Sequence, residues 1–216
     1  MQIWLDTTDL PTLEKAQRRG ILHGVTTNPA MLVSNPRETL TALLSAQPGP
    51  VAVEIAEDEI PSMISQGKGL YEFSSRIVIK VPVSERGFEV LHALAQAQVP
   101  VMASGIVQPT QALVAALGGA NWVAPYFIRI LKAGDNPLAQ LEAIKKMIAS
   151  YQMRTRILAI NPKTVEQIKS CAETGIDAIT IREDVFRDLI ETHELTAQVV
   201  EQYDDDWKKI RSQQWF

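Results

Sequence analysis

A single lysine lies in the middle of an otherwise aliphatic segment of this chain. Lys80 follows Ile77-Val78-Ile79 and precedes Val81-Pro82-Val83, a run that is rich in β-branched residues and too short for a typical helix. Such a run is typical of a parallel strand that is buried on both faces. Burial removes the hydration that an ammonium group needs, which favours the neutral amine. A neutral amine in a dry, apolar site is a nucleophile for a carbonyl carbon.

The same pattern also fits a structural role for Lys80. A long side chain can reach the end of its strand and pair there with a carboxylate. The strand pattern favours neither role over the other.

Other polar residues interrupt or follow the remaining aliphatic runs. With Lys80 they form this set: Asp6, Thr26, Thr27, Asn28, Glu54, Ser104, Tyr126, Arg129 and Asn161. Asp6 and Glu54 are candidate partners of Lys80, because a buried charge is costly unless it is paired. Taken singly, each residue of the set is more often a cap or a satisfied core group. Asp6 with Thr7-Thr8-Asp9, for example, also resembles a turn and helix cap.

The sequence contains no signal for a metal or a cofactor. The three histidines show no H-x-x-H or H-E-x-x-H spacing, and no Cys/His cluster is present. The G-x-S-x-G motif of hydrolases is absent as well. We therefore expect a site without metal or cofactor.

The elements that must position these residues are alternating strands and helices. The predicted strands are Ile3–Leu5, Gly24–Thr27, Val51–Ile55, Ile77–Val83, Val99–Ala103, Trp122–Tyr126, Arg156–Ile160 and Ala178–Ile181. The predicted helices between them include Leu10–Arg18, Arg37–Gln47, Glu85–Ala97, Thr110–Leu117, Pro137–Ser150 and Lys163–Thr174. Alternation of this kind indicates parallel β-α units. Eight units favour a closed (β/α)₈ (TIM) barrel, whose sites lie at the carboxyl ends of the strands.

We interpret residues 1–216 as one domain with an additional C-terminal helix over about 194–212. Neither the G-x-G-x-x-G nor the G-x-x-x-x-G-K-[ST] motif is present, which disfavours an open nucleotide-binding sheet. Leu195, Val199, Tyr203, Trp207 and Ile210 recur at helical spacing in the tail and form one apolar stripe. The stripe, with Trp215 and Phe216 after it, needs a cover, either the barrel itself or a neighbouring subunit.

Composition excludes several classes of partner. The 216 residues are 46% hydrophobic and 21% charged, with a net charge of −4, so a nucleic acid is not an expected partner. No apolar run approaches the length that spans a membrane. The start of the chain, MQIWLDTTDL, has no signal-peptide pattern, and the lone cysteine, Cys171, fits a reducing cytoplasm and a packed thiol.

Several motifs together resemble those of the transaldolase family. They are Leu5-Asp6-Thr7, Gly24-Val25-Thr26-Thr27-Asn28-Pro29, Val78-Ile79-Lys80-Val81-Pro82-Val83, Ala124-Pro125-Tyr126-Phe127-Ile128-Arg129 and the tail Asp205-Asp206-Trp207. The resemblance covers nearly the whole chain and is greatest to the small bacterial fructose-6-phosphate aldolases. Their short barrel with an added C-terminal helix assembles into ring-like homo-oligomers such as decamers, and the resemblance implies the same here.

The resemblance implies a class I, metal-free aldol reaction with dihydroxyacetone as the donor. Lys80 would form an imine with the C2 ketone of a sugar or sugar phosphate, and the C3–C4 bond would break. Asp6 would take the proton of the C4 hydroxyl, and a second group, Glu54, Ser104 and Tyr126, would hold a water and move protons. Thr26 and Asn28 would line the dihydroxyacetone end, and Arg129 would bind phosphate.

Three positions give a mixed picture of which branch of the family the chain resembles. Glu54 replaces the usual glutamine and resembles true transaldolases, in which the dihydroxyacetone unit stays on the lysine until an acceptor aldehyde arrives. Tyr126, in contrast, resembles the aldolases. Ile160-Asn161-Pro162 replaces the family's Ala-Ser-Phe, so Asn161 and Lys163 would have to supply the hydrogen bond and charge for a phosphate. A barrel that binds a sugar without turning it over is a further alternative.

Overall fold

Eight parallel strands form one closed barrel in the computed structural model, which describes residues 1–55, 57–211 and 213. The strands follow one another around the barrel in chain order, and the first pairs with the last. They are β1 (Gln2–Asp6), β2 (Leu22–Thr26), β3 (Val51–Glu54), β4 (Ile77–Pro82), β5 (Val101–Ile106), β6 (Trp122–Pro125), β7 (Arg156–Ile160) and β8 (Ala178–Ile181). The predicted (β/α)₈ barrel is therefore confirmed.

The helices connect successive strands around the outside, and a last helix follows the barrel. They are α1 (Leu10–Arg18), α2 (Pro36–Ala46), α3 (Ile60–Phe73), α4 (Glu85–Gln96), α5 (Pro109–Leu117), α6 (Phe127–Lys132), α7 (Pro137–Ser150), α8 (Val165–Glu173), α9 (Glu183–Leu189) and α10 (Glu194–Ile210). One turn of 3₁₀ helix, Pro29–Leu32, follows β2. Proline in the first turn helps to start α1, α2, α3, α5 and α7, because its fixed φ suits that position.

The fifth strand differs from its predicted bounds. It was expected over Val99–Ala103 and instead covers Val101–Ile106, so Ser104 lies within the strand. Gly105, with φ of +77°, accompanies a register shift between β5 and β6. Glycine adopts this backbone conformation without strain, which lets the strand continue beyond Ser104.

The helix after β7 also begins later than predicted. The sequence indicated a helix from Lys163, but Thr164 is its N-cap and accepts a hydrogen bond of 3.1 Å from the backbone N–H of Gln167. Capping by a threonine hydroxyl fixes the start of a helix at the next residue. Lys163 therefore belongs to the loop that follows β7.

The inside of the barrel has an apolar floor beneath a polar layer. The floor is a cluster of buried side chains that includes Trp4, Ala52, Val78, Met102, Trp122, Ala124, Leu158 and Ala178. Successive side chains of a strand point to opposite faces, so the residue two positions later points inward again. In five strands, and directly after β6, that residue is polar: Asp6, Glu54, Lys80, Ser104, Thr180 and, after β6, Tyr126.

A larger apolar cluster lies between the sheet and the surrounding helices. Leu5, Ile79 and Ile179 are among its strand residues, and all three are fully buried. Cys171 of α8 packs in the same cluster, where burial raises the pKa of its thiol to about 12. This burial agrees with the packed thiol that the sequence predicted.

The last helix, α10, carries the apolar stripe predicted for the tail. None of its residues is buried, and Leu195, Tyr203 and Trp207 each expose more than half of their surface. The predicted end of the tail at residue 212, and Trp215 and Phe216 after it, lie outside the described residues. Within the described residues, no helix is both long and apolar enough to cross a membrane.

Two tryptophans fill the barrel floor and leave no room for a side chain at position 24. The rings of Trp4 and Trp122 pack edge to face, with centroids 5.5 Å apart and planes at 71°. A Cβ atom on Gly24 would lie 2.7 Å from Cε3 of Trp4 and 2.9 Å from the carbonyl oxygen of Pro50. The tryptophan ring therefore occupies the space that any side chain on Gly24 would need.

Replacing Gly24 by alanine tests this floor. Gly24→Ala is expected to lower the free energy of unfolding by about 1–3 kcal/mol, because the new methyl group overpacks a closed interior. Gly69→Ala is the control, since no atom lies within 4 Å of the added Cβ on helix α3. Helix propensity predicts that Gly69→Ala is neutral or stabilising by up to about 1 kcal/mol. Urea denaturation checks both variants, and equal stability of the two would contradict the proposed packing.

Candidate active site

A cavity of about 380 Å³ opens where the strands end. Its lining includes six of the residues that the sequence predicted for the site: Asp6, Thr26, Asn28, Lys80, Tyr126 and Asn161. These residues come from five strands or the loops directly after them. Because parallel strands of a barrel all end on the same face, residues that are far apart in the chain meet there. We refer to this space as the central cavity.

Lys80 lies inside the barrel on β4, with 3% of its surface exposed. Its Nζ donates a hydrogen bond of 2.7 Å to the main-chain carbonyl of Thr27 and lies 3.4 Å from Oε2 of Glu54. Glu54 on β3 is the register partner of Lys80, so the two side chains leave the sheet at the same height. The carboxylate pairing considered from the sequence is therefore present, and Lys80 still lines the central cavity.

A hydroxyl group holds the carboxylate of Glu54 in place. Ser104 on β5 is buried, and its Oγ donates a hydrogen bond of 3.0 Å to Oε2 of Glu54. This is the same oxygen that faces Nζ of Lys80. Glu54 thus connects Ser104 on β5 with Lys80 on β4. A proton can move from the Lys80 amine to the Glu54 carboxylate within this group.

Asp6, at the end of β1, is held by the hydroxyl of Thr26, which in turn contacts Thr180. Thr26 donates a hydrogen bond of 2.9 Å from its hydroxyl to Oδ1 of Asp6, and its oxygen lies 2.7 Å from the hydroxyl of Thr180. The helix-capping role considered for this segment belongs to Asp9, whose carboxylate accepts from the N–H of Thr12 at 2.9 Å. Asp6 therefore has no capping function and presents its carboxylate to the central cavity.

Asn28 has a structural contact as well as a position in the site. It is the N-cap of the 3₁₀ turn after β2, and its Oδ1 accepts from the N–H of Met31 at 3.3 Å. This hydrogen bond fixes the side chain while its amide group borders the cavity. Met31 itself forms part of the cavity wall.

Tyr126 lies between the central cavity and a neighbouring one. Burial raises the pKa of its phenol above 10.0, and the negative charges of Glu54 and Asp6 raise it further. The guanidinium of Arg129 lies 5.2 Å from the ring centroid and opposes this shift. A raised pKa keeps the phenol protonated, so Tyr126 can donate a proton or hydrogen bond at neutral pH.

The neighbouring cavity, which we call the side cavity, is rich in positive charge. It measures about 450 Å³ and shares Tyr126, Ile160 and Asn161 with the central cavity. Its remaining lining is Ile128, Arg129, Lys132 and Lys163. The side cavity therefore contains three of the predicted substrate-binding residues, Arg129, Asn161 and Lys163, together with one further lysine, Lys132.

Asn161 connects the two cavities through an unusual backbone position. Its φ is +66°, and its N–H donates to the carbonyl of Thr180 at 2.9 Å, which ties the end of β7 to β8. Asparagine tolerates this left-handed conformation better than most residues. The side-chain Oδ1 accepts a hydrogen bond of 2.7 Å from Nζ of Lys163. Asn161 and Lys163 are therefore in contact, as a shared role would require.

Two residues that line the central cavity, one in β8 and one directly after it, are not among the site residues that the sequence predicted. Thr180 is buried and lines the central cavity, and Arg182 lines it at the rim. Thr180 had a signal, because it is the single polar residue in Ala178-Ile179-Thr180-Ile181 and falls at an inward position of the alternation. Arg182 had only its place directly after a strand, which is where barrel sites collect.

The arrangement is suited to covalent chemistry on a carbonyl compound. The site combines one buried amine, the Glu54 carboxylate beside it, the Asp6 carboxylate in the cavity wall and a protonated phenol. A nucleophile needs such a set because imine formation requires both removal and supply of protons. The cations of the side cavity provide a place for an anionic part of a ligand.

Comparison with known proteins relates this chain to one family. Residues 3–215 match the family described as Transaldolase/Fructose-6-phosphate aldolase. A probable transaldolase from Caulobacter vibrioides (strain NA1000 / CB15N) is 31% identical over 210 residues, which is 96% of each chain. Another from Exiguobacterium sibiricum is 31% identical and covers 98% of this chain and 100% of its own. One from Nitrosopumilus maritimus (strain SCM1) is 28% identical, with coverage of 99% and 97%.

A more distant solved structure shares the fold. A crystal structure of mandelate oxidase superposes with a TM-score of 0.60 and covers 95% of this chain and 74% of its own. The two sequences are 13% identical, so this likeness concerns the barrel alone.

The pKa of Tyr126 provides a test of the electrostatics of the site. In an ultraviolet titration of tyrosinate, the signal that Tyr126→Phe removes is expected to have a midpoint above 10, because burial opposes the phenolate. Glu54→Gln is expected to lower that midpoint, since removing a nearby negative charge makes the phenolate less unfavourable. Glu14→Gln, on the exposed face of α1, is the control and is expected to have no effect. An unchanged midpoint in Glu54→Gln would show that the carboxylate does not act on the phenol.

Proposed function

The chain belongs to the transaldolase/fructose-6-phosphate aldolase family, and from this premise we propose that it cleaves and forms the C3–C4 bond of a ketose through an imine on Lys80. One observation carries the proposal. The amine of Lys80 is buried, paired with Glu54 and yet borders the same cavity as Asp6. A purely structural ion pair would not need a second carboxylate and a phenol around the same cavity.

The first step joins Lys80 to the ketone. Nζ transfers a proton to Glu54, whose Oε2 is 3.4 Å away, and then attacks C2 of the ketose. The carbinolamine loses its hydroxyl as water, with protons supplied by the Glu54 and Tyr126 groups, and a protonated imine forms. Ser104 keeps the carboxylate oriented through its hydrogen bond of 3.0 Å.

Cleavage then uses the second carboxylate of the site, which belongs to Asp6. Asp6 accepts the proton of the C4 hydroxyl, the C3–C4 bond breaks, and its electron pair moves into the protonated imine to give an enamine. The aldehyde that contains C4 leaves. Thr26 supports Asp6 in this role, because its hydroxyl fixes one carboxylate oxygen and thereby the direction of the other.

Release of the donor reverses the first step. The enamine takes up a proton at C3, and water adds to the resulting protonated imine. Tyr126 is suited to hold and protonate groups during this hydrolysis, since its phenol stays neutral. The product that leaves Lys80 is dihydroxyacetone.

The polar residues around the cavity support a division of the substrate into two ends. Thr26 and Asn28 border the central cavity, where the dihydroxyacetone part would lie next to Lys80. Arg129, Lys132 and Lys163 border the side cavity, which would take the far end of the sugar. The family description names fructose-6-phosphate, whose phosphate is at that far end.

A transaldolase is the second candidate, and Glu54 favours it. In this reaction, the dihydroxyacetone unit remains on Lys80 as the enamine until a second aldehyde arrives. The carboxylate of Glu54, so near the Lys80 amine, would stabilise the charged imine and slow its hydrolysis. The similar proteins from Caulobacter and Exiguobacterium carry the name probable transaldolase. A barrel that only binds sugars is disfavoured, because binding alone would not require a buried amine.

Trapping with borohydride tests the imine. The protein is incubated with dihydroxyacetone and borohydride, and the intact mass is measured. We expect the mass of one reduced adduct on the natural chain and none on Lys80→Met, because only an imine is reduced to a stable amine. An adduct of equal yield on Lys80→Met would contradict the assignment of the nucleophile.

A carboxylate variant separates imine formation from bond cleavage. Asp6→Asn is expected to retain the borohydride adduct with dihydroxyacetone and to lower cleavage of fructose-6-phosphate by roughly 10²–10⁴. Asp9→Asn is the matched control, since asparagine also caps a helix and Asp9 serves only that purpose. Release of dihydroxyacetone without any added aldehyde would support the aldolase, and release of product only with an acceptor would support the transaldolase.

Assembly into a homo-oligomer is proposed from the last helix. The apolar stripe of α10 includes Leu195, Val199, Tyr203 and Trp207, all of which are exposed on the isolated chain. An exposed stripe of this size is unfavourable in water and stable when covered. A second copy of the chain is the cover that the resemblance implies.

Charge on one face of α10 tests this assembly. Light scattering is expected to show an oligomer for the natural chain and smaller species for the double variant Val199→Asp, Tyr203→Asp, because charges cannot be buried at an apolar interface. Gln198→Asp, Gln202→Asp adds the same charge one position away, about 100° around the helix, and is expected to remain assembled. A monomeric natural chain at micromolar concentration would remove the proposal.

A further inference from the structure

Arg182 is a cation of the site that neither the sequence motifs nor the proposed reaction uses. It follows β8 directly and lines the central cavity at its rim. It also lines a third cavity, which we call the rim cavity, together with Asp6, Met31 and Glu183. Within residues 1–55, 57–211 and 213, its guanidinium has neither a hydrogen bond nor an ion pair. An arginine in this position presents several N–H donors to a ligand.

A second cation lies on the neighbouring strand end. Lys163 follows β7, which pairs with β8, and the two strand ends are joined by the bond from Asn161 N–H to the Thr180 carbonyl. Asn161 lines the central cavity together with Arg182 and the side cavity together with Lys163. A group bound over Asn161 would thus have one cation on each side.

The charges around Lys163 agree with this placement. Burial lowers the pKa of Lys163, and the positive charge of Arg182 lowers it further, more than that of Lys132 does. Asp184 and Asp6 act in the opposite direction and leave the pKa lowered. Two cations therefore repel each other at the junction of the cavities, and an anion between them would remove that repulsion.

The carboxylates nearby leave Arg182 available. Glu183, the next residue, accepts a hydrogen bond from the hydroxyl of Thr7. The carboxylate of Asp184 accepts from the backbone N–H of Val185, and that of Asp6 accepts from Thr26. Each of the three carboxylates that border the same rim cavity as Arg182 thus has another donor.

We propose that Arg182 is a specificity-determining residue, which binds with Lys163 a phosphate monoester at the aldehyde end of the substrate, over Asn161. A phosphate dianion matches two cations in charge, and the planar guanidinium can donate two parallel hydrogen bonds to its oxygens. The proposal deepens the proposed function and rests on it for the identity of the substrate. It assigns discrimination between phosphorylated and uncharged aldehydes to the β7–β8 side of the barrel.

A binding experiment tests the anion site without any aldol chemistry. Isothermal titration calorimetry is performed with three probes of similar size: glycerol 3-phosphate, glycerate and glycerol. Glycerol 3-phosphate is expected to bind most tightly, since it alone carries a dianion. Arg182→Gln is expected to weaken its binding about tenfold or more, because charge-assisted hydrogen bonds are lost. Tighter binding of glycerate than of glycerol 3-phosphate would overturn the assignment to a phosphate.

Arg187→Gln is the matched control for charge. Arg187 lies on α9 and borders the rim cavity but not the central cavity, so its removal changes the net charge equally. We expect less than a threefold loss of affinity for glycerol 3-phosphate in this variant. Equal losses in Arg187→Gln and Arg182→Gln would show a general field effect and overturn the proposal.

Kinetics then connects the anion site to specificity. In Arg182→Gln, kcat/KM with glyceraldehyde 3-phosphate as the acceptor is expected to fall about tenfold or more, whereas kcat/KM with glyceraldehyde changes little. An equal loss with both aldehydes would show that Arg182 acts through the shape of the site and would contradict the proposal. The borohydride adduct with dihydroxyacetone is measured on the same samples. Absence of the adduct refutes the proposed function, while the calorimetric result on the anion site stands by itself.

Discussion

The burial of one ammonium group imposes the main constraint on this barrel. Taking Lys80 out of water is unfavourable unless its protons find acceptors, and they find a main-chain carbonyl at 2.7 Å and a carboxylate at 3.4 Å. The carbonyl belongs to Thr27, directly after β2 and two strands away from β4, so the sheet must curve across β3 to bring it to the amine. The carboxylate belongs to the register partner of Lys80. A slip of either strand by one residue would turn these groups away and leave a charge unpaired in the interior.

The apolar floor determines how high above the barrel centre the polar layer lies. Trp4 and Trp122 fill most of the width beneath the site, and Gly24 and Ala52 leave space for their rings. Because side chains alternate along a strand, each inward floor residue fixes the position of the inward residue two places later. Asp6 follows Trp4 in this way, and Lys80 follows Val78. Packing in the floor and the position of the polar layer above it are thus coupled through the backbone, although Trp4 and Trp122 do not line the central cavity.

Much of the fold follows from local sequence patterns. Aliphatic runs of strand length, separated by helical segments with proline or a capping side chain at their start, were sufficient to predict the closed barrel and most element bounds. The helical pattern alone predicts that α8 begins at Lys163, whereas the cap formed by Thr164 makes it begin at Val165. Lys80 was conspicuous since a charge within an aliphatic run has no local explanation. Arg182 was not, because an arginine after a strand is ordinary, and its meaning comes from neighbours on β1 and β7 that only the closed sheet brings together.

The distribution of charge around the polar layer gives the site a direction. Glu54, Lys80 and Ser104 come from β3, β4 and β5, and they are the groups that the proposed imine chemistry would use. Three cations, Arg129, Lys163 and Arg182, lie on the other side, after β6, β7 and β8, where they line the two cavities that share Asn161. An anionic ligand would be drawn to that second side, because positive charge in a recess is screened less than on an open surface. Its uncharged end would then point towards Lys80, so electrostatics alone would present the ketone to the amine in one orientation.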